Sequence, residues 1–203
     1  MARTADPAVR IALIEVAAQR LATEGLDALS LRRVAAEVGT TTQAVYTHFG
    51  SKDDLVRAVV AEAFARLSAE LASVPHTDDP VADLADMALA YRRNAVANAH
   101  LYRVMFGLNP LALTDPAAHD HGQADPMGPS LDVGLDAFGT LVAGVARCVE
   151  AGAVAGDPAL LALQVWGTAH GVVSLELAGF LGAAAEETFV AATTAVFLGL
   201  PRP

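Results

Sequence analysis

Lysine occurs once in this chain, at Lys52, and cysteine once, at Cys148. A single cysteine excludes an intramolecular disulfide and fits a reducing cytoplasm. Its neighbours Val145, Ala146 and Val149 mark it as an inert core thiol. Charged residues make up only 18% of the chain and hydrophobic residues 54%. That balance excludes disorder over most of the length and leaves apolar surface for a core and a buried interface. No run alternates apolar and polar residues as a half-buried strand would. No apolar segment lies within residues 1–10, so a secretory leader is not expected. Catalytic signatures are missing too: there is no nucleophile elbow, phosphate loop or metal-ligand helix motif. The expectation is a protein without enzymatic activity, metal or cofactor. Asp83 and Asp86 share one helical side, and a solvated face accounts for them.

One stretch, Pro158 to Leu175, carries no Asp, Glu, Lys or Arg and is near the lower length limit of a membrane span. It holds Gln164 and His170, is bounded by Asp157 and Glu176, and has no basic anchor at either end. The reading is a helix buried in protein on most sides, with no membrane partner.

The net charge of −10 argues at first against a nucleic-acid partner. Its distribution reverses that. Of 13 basic and 23 acidic residues, seven of each fall within residues 1–60, so the remainder holds six basic and sixteen acidic. A balanced head on an acidic body is compatible with DNA binding if the cations share one face.

Helical punctuation runs the length of the 203 residues. Asp6-Pro7 reads as an N-cap followed by proline at the first helical position, with Val9, Leu13, Val16, Ala17 and Leu21 at helical spacing up to Gly25. Ser30 opens a short helix from Leu31 to Val38, ended by Gly39. Thr40 or Thr41 opens the next, Thr40 and Gln43 standing in capping-box relation, and Gly50 ends it. Ser51 caps a fourth helix whose apolar face is Leu55, Val59, Ala63, Leu67 and Leu71. Pro75 and His76-Thr77-Asp78-Asp79 close it. Further helices are expected from Asp79-Pro80 to about Asn98, from Leu101 to Phe106, from Pro129 to about Ala151, from Asp157-Pro158 to about Phe180, and from about Ala185 to Leu198. Residues 107–128 read as a long irregular loop.

Residues 30–49 carry the functional signal. Two short helices meet at a tight turn on Gly39. Ala35 is small enough for a close crossing, and Val34, Val38, Val45 and Phe49 supply a small core. This is a helix-turn-helix, whose second helix enters the major groove. Thr41, Thr42, Gln43 and Thr47 are uncharged hydrogen-bonding groups suited to base edges. Tyr46 and His48 can donate to phosphates, and Lys52 adds a cation at the next helix start. Ser30, Arg32 and Arg33 stand where a phosphate or one base is within reach. Three readings stay open on the residues alone: a regulator; a helical ligand-binding or enzymatic protein with a fortuitous helix-turn-helix; and an architectural DNA binder without an inducer.

The stretch from Val9 to Ala63 resembles the N-terminal domain of the tetracycline-repressor family. The resemblance rests on Leu29-Ser30-Leu31-Arg32-Arg33-Val34-Ala35, then Gly39, then Ala44-Val45-Tyr46-Thr47-His48-Phe49-Gly50-Ser51-Lys52-Asp53-Asp54-Leu55. It implies phosphate contacts at Ser30, Tyr46, His48 and Lys52, and base contacts around Arg32, Thr42, Gln43 and Thr47. Thr47 departs from the family, where an aromatic residue is common. In the body, Trp166-Gly167-Thr168-Ala169-His170-Gly171 resembles the tryptophan-histidine-glycine motif of one C-terminal subgroup. Leu101-Tyr102-Arg103-Val104-Met105-Phe106 is similar to that subgroup's preceding segment. The subgroup implies a helical body that takes small, often apolar, inducers and dimerises through its last two long helices.

Trp166 and His170 share a helix face. A packed core pair is the commoner arrangement, a pocket wall the alternative. Tyr91, Met105, Phe106 and Phe138, with Arg92 nearby, fit a pocket or ordinary core equally. Arg92 and Arg103 are expected to be solvated. His119, Asp120 and His121, with Asp115 and Asp125, read as a solvated loop, since adjacent loop residues give no preformed metal geometry.

The expected architecture is all-α. A three-helix DNA-binding domain spans residues 1–55, helix four (about 52–73) is the connector, and residues 76–203 form a ligand-binding and dimerisation domain. The expected protein is a cytoplasmic homodimer, paired through helices near 158–180 and 185–199. It would bind double-stranded DNA at a near-palindromic operator and be released by a small-molecule effector.

Overall fold

The computed structural model describes residues 6–107 and 129–203, and within them every element is helical. Nine α-helices occur in that span: α1 Pro7–Glu24, α2 Leu31–Val38, α3 Thr42–Phe49, α4 Lys52–Ala72, α5 Pro80–Ala97, α6 Ala99–Gly107, α7 Pro129–Glu150, α8 Pro158–Leu177 and α9 Ala185–Gly199. A 3₁₀ turn, Gly182–Ala184, leads into α9. The loop histidines and aspartates at 115–125 lie outside the described residues.

Three helices start in the same way because three Asp-Pro pairs precede them. Asp6 accepts from the Ala8 N–H at 2.9 Å, Asp157 from Ala159 at 2.9 Å, and Asp79 from Val81 and Ala82 at 3.1 and 3.0 Å. Each aspartate pairs an amide that the first turn would leave orphaned, and the proline has no amide to orphan. α4 opens on a reciprocal box instead. The Asp54 N–H donates to Ser51 Oγ at 3.0 Å, and the Ser51 hydroxyl donates to Asp54 Oδ2 at 2.6 Å.

The described residues divide into two compact units, 6–65 with 100–107 and 129–134, and 66–99 with 135–203; α4 has residues in both. In the first unit α1 packs on α2 and α2 on α3. Leu13, Ile14, Ala17 and Leu21 of α1, Val34 and Ala35 of α2 and Val45 of α3 are buried. Val38 and Phe49, expected in this core, are half-buried. His100 donates from Nε2 to Glu15 at 3.0 Å, tying α6 to α1.

In the second unit α8 packs on α9 and α5. Its core joins Leu84, Val145, Cys148, Val154, Leu161, Ala162, Val165 and Leu200. The Cys148 thiol is buried, donates to the Pro80 carbonyl at 3.2 Å, and is pushed up in pKa by that burial. Two charged groups expected in solvent are engaged. Asp83 is buried, taking the Thr77 amide at 2.8 Å, the Thr77 hydroxyl at 2.6 Å and the Arg147 guanidinium. Arg92 grips Glu176 with two nitrogens at 2.9 and 2.8 Å and reaches Glu186 at 3.1 Å, joining α5 to α8 and α9.

α8 also departs from expectation. It is the one helix among the described residues long and apolar enough to cross a membrane, and only 28% of its most apolar 18-residue window is buried. A core helix of a soluble protein passes the same test of length and composition. Leu160, Leu163, Gln164, Gly167, Gly171 and Leu175 are exposed at spacings of three and four, so they share one face. Val190, Ala191, Thr194, Ala195 and Leu198 do the same on α9. Among the described residues, Leu161, Ala162, Val165, Ala169, Val172 and Val173 of α8 and Phe189 of α9 are buried on the other faces.

The Thr77 hydroxyl, against the opposing effect of burial, and then Arg147 hold the Asp83 carboxyl at about 2, below its ordinary 3.8. The unfolded chain therefore takes up the proton first as acid is added. The stability Asp83 contributes is complete above pH 3.8 and lost as the pH falls towards 2. Asp83→Asn should lower the midpoint of thermal unfolding at neutral pH and flatten its fall across that acid window. Parallel curves for the two proteins would show that Asp83 does not carry it.

Candidate nucleic-acid interface

A tight glycine turn sets the crossing of α2 and α3. Gly39 sits at φ 75° and ψ 28°, in left-handed backbone that glycine adopts without a Cβ penalty. Its amide closes onto the Ala36 carbonyl at 3.2 Å, and the Thr40 amide onto the Ala35 carbonyl at 2.9 Å. These bonds satisfy two carbonyls that the end of α2 would leave open. α3 then starts at Thr41, whose hydroxyl oxygen accepts from the Ala44 N–H at 3.2 Å. The cap is therefore Thr41 to Ala44, and the Thr40–Gln43 box expected from spacing is not the one used. Ser30 holds the N-cap position of α2 in extended backbone, but its side chain makes no cap bond.

With Val45 fully buried, the opposite side of α3 faces solvent. Thr41, Gln43, Tyr46 and Thr47 are exposed, Tyr46 by 48%, while Thr42 and His48 are half-buried. The Thr47 hydroxyl donates back to the Gln43 carbonyl at 2.9 Å, which leaves its methyl and its lone pairs to meet a neighbour. The His48 ring lies 6.0 Å from that of Phe49. Lys52 is the first residue of α4, next to the end of α3 in the chain.

The cations of this unit are sorted by their partners. Arg20 pairs with Glu24 at 3.0 Å and with Glu37; Arg33 meets Glu24 with both outer nitrogens at 2.8 and 3.0 Å; Arg57 pairs with Asp54. These contacts knit α1 to α2 and brace the start of α4. Arg33, expected to face nucleic acid, is thus committed to Glu24. Arg10, Arg32 and Lys52 have no carboxylate partner among the described residues. The balanced charge of the head thus divides into internal pairs and a remainder of both signs, in which Arg10, Arg32 and Lys52 make no ion pair among the described residues.

One contact was not legible from residue spacing. The guanidinium of Arg10, from the first turn of α1, lies over the Phe49 ring at 5.3 Å from its centroid. The sequence shows only that both residues exist. Their meeting depends on how α1 crosses α3.

The residues expected to line an effector pocket fall into two sets. In the second unit the rings of Phe138 and Trp166 lie 5.8 Å apart and those of Trp166 and His170 6.0 Å apart, and the Tyr91 hydroxyl shares a 3.2 Å hydrogen bond with His170 Nδ1. Burial lowers the His170 pKa, so the neutral ring is favoured. Met105 and Phe106 belong to the first unit, where Phe106 contacts Tyr102 at 4.9 Å and the edge of Phe64 at 6.5 Å.

Replacing Thr41 by alanine removes the acceptor for the Ala44 amide and should cost about 1 kcal/mol of stability in denaturant titration. Thr40→Ala should cost measurably less. Equal losses would return the cap to Thr40.

Two family models match the chain: bacterial regulatory proteins of the tetR family over residues 13–59, and the tetracyclin repressor-like C-terminal domain over residues 84–196. Curated proteins yield no match. Among solved structures, a protein of unknown function from Rhodococcus sp. RHA1 is similar at 28% identity and TM-score 0.75, covering 100% of both chains. The TetR family transcriptional regulator PfmR from Thermus thermophilus is similar at 23% identity and TM-score 0.75, covering 94% of this chain and 99% of its own. A tetR-family regulatory protein from Rhodococcus RHA1 shares the fold at 17% identity and TM-score 0.75, over 98% of this chain and 100% of its own. The C-terminal model alone spans more than half of the sequence, and the N-terminal model falls on the helices just described. The chain belongs to the tetracycline-repressor family of bacterial DNA-binding transcription regulators.

Proposed function

We propose that the protein is a homodimeric repressor that binds a near-palindromic operator and leaves it when a small, largely apolar ligand occupies the body. The observation that carries this reading is the exposed polar face of α3, with Gln43, Tyr46 and Thr47 outward and Val45 holding the helix from behind. In the roles proposed, Thr42, Gln43 and Thr47 meet base edges, with Arg32 beside them. Ser30, Tyr46, His48 and Lys52 meet phosphates, and Thr41 fixes the helix start. Arg33 would first have to leave Glu24.

Pairing is proposed through α8 and α9. Their bare stripes carry Leu160 at 60% exposure and Leu198 at 65%, and Phe180 just past α8 is 78% exposed. A Cβ built on Gly167 or Gly171 meets nothing within 4 Å, so packing inside the chain does not require glycine there. A twin helix crossing at close range would. A two-fold dimer places its recognition helices about 34–36 Å apart, in successive major grooves.

For the effector, Phe138, Trp166 and His170 offer an aromatic wall with Tyr91–His170 as its polar anchor, the usual make-up of a small-molecule site. The ligand can move the equilibrium only by its differential affinity for the DNA-binding and released states. α4 would carry the change, being one helix with residues in both units. The role is regulation by binding, exercised in the cytoplasm where the chromosome is.

The test uses the DNA upstream of the protein's own gene, footprinted and then used in mobility-shift titrations against a random duplex. Gln43→Ala should reduce the preference for the footprinted site by about 1–3 kcal/mol. Tyr46→Phe, losing a phosphate donor, should weaken both duplexes alike. A footprint without an inverted repeat, or a Gln43→Ala protein with undiminished preference, would sink the operator reading. Leu163→Glu should convert the dimer to monomer in sedimentation equilibrium, and a dimer that survives it would place the interface elsewhere.

A further inference from the structure

We propose that Arg10 is a further phosphate-binding residue of the DNA interface, held at the end of the recognition helix by its stack on Phe49. The proposal rests on reading α3 as the helix that enters the groove. α3 has eight residues, so it is about 12 Å long at 1.5 Å per residue. The major groove is about 12 Å wide. A helix of that length lying across the groove brings its two ends up to the two sugar-phosphate ridges. Phe49 is the last residue of α3, and Arg10 lies over its ring. Lys52, the first residue of α4, follows the same end in the chain, so Arg10 adds a second cation there.

Arg10 differs from Arg20, Arg33 and Arg57, which are paired with carboxylates, in having no such partner among the described residues. It differs from Arg32, which is also unpaired, exposed and in a first helical turn, in its stack on Phe49. Arg10 is exposed, so its charge is open to solvent and to a ligand. It also sits in the first turn of α1, where the helix dipole disfavours a cation. Stacking on an aromatic face fixes the plane of a guanidinium while leaving its N–H edge outward. An edge oriented before binding meets a phosphate with less loss of side-chain entropy. A phosphate contact of this kind positions the protein and carries no sequence information.

Because the contact is blind to sequence, a random duplex of roughly three helical turns serves as the probe. Full-length wild type, Arg10→Met and Arg10→Lys are titrated at several salt concentrations. Methionine keeps an apolar stem over Phe49 without the charge. Arg10→Met should reduce the slope of log affinity against log salt by about 0.9, the release of counterion from one phosphate. Arg10→Lys should keep the wild-type slope. Should methionine unfold the head, seen as loss of helical circular dichroism, Arg10→Gln gives the same reading. An unchanged slope in a folded neutral variant overturns the proposal while leaving the DNA-binding helix in place. A wild type whose affinity for the duplex does not vary with salt overturns the underlying reading itself.

Discussion

An eight-residue helix does not hold itself together in water, because nucleation is costly and a helix of two turns repays too little of it. α3 is such a helix, and the polar face proposed to meet nucleic acid stands on it. Its persistence depends on burying Val45 completely, on the Gly39 turn that aims it, and on one hydroxyl cap at its start. With Val45 buried behind it, α3 can keep Gln43, Tyr46 and Thr47 polar and exposed without weakening its packing.

Charge is arranged by the same economy. A neutral head is an unpromising partner for a polyanion until its ion pairs are traced. Glu24 and Glu37 absorb Arg20 and Arg33, and Asp54 absorbs Arg57, in contacts that serve the packing of α1, α2 and α4. Exposed pairs of this kind contribute little to stability. Their larger effect is to hold these arginines away from a ligand and leave Arg10, Arg32 and Lys52 without a carboxylate partner among the described residues. The acidic body, with sixteen of the 23 acidic residues beyond position 60, discourages DNA from settling elsewhere on the molecule.

The second unit is organised around polar pins at helix ends and apolar packing between them. Asp83, Thr77 and Arg147 fasten the segment before α5 to α7, and Arg92 fastens α5 to α8 and α9. A buried carboxylate with three donors is well satisfied, and removing any donor exposes its cost. Against this, α8 and α9 each keep a stripe of exposed residues, with Leu160, Leu163 and Leu175 on α8 and Val190 and Leu198 on α9, which is the surface proposed for pairing.

Much of the architecture could be read from the residues alone. The Asp-Pro pairs at 6–7, 79–80 and 157–158 start helices whatever the tertiary setting, since the cap and the missing amide act within three residues. Gly39 and Gly50 end α2 and α3 for equally local reasons, and the motif running from Leu29 to Leu55 pointed to the family. Tertiary structure decided the rest, because it turns on distances between segments far apart in the chain. Which arginines are paired, why Asp83 and Arg92 are not solvated, and that Arg10 meets Phe49 follow from helix crossings. Periodicity reveals that α8 has apolar faces. It cannot reveal which of them the chain itself covers, and that depends on the packing of α5 and α9 against it.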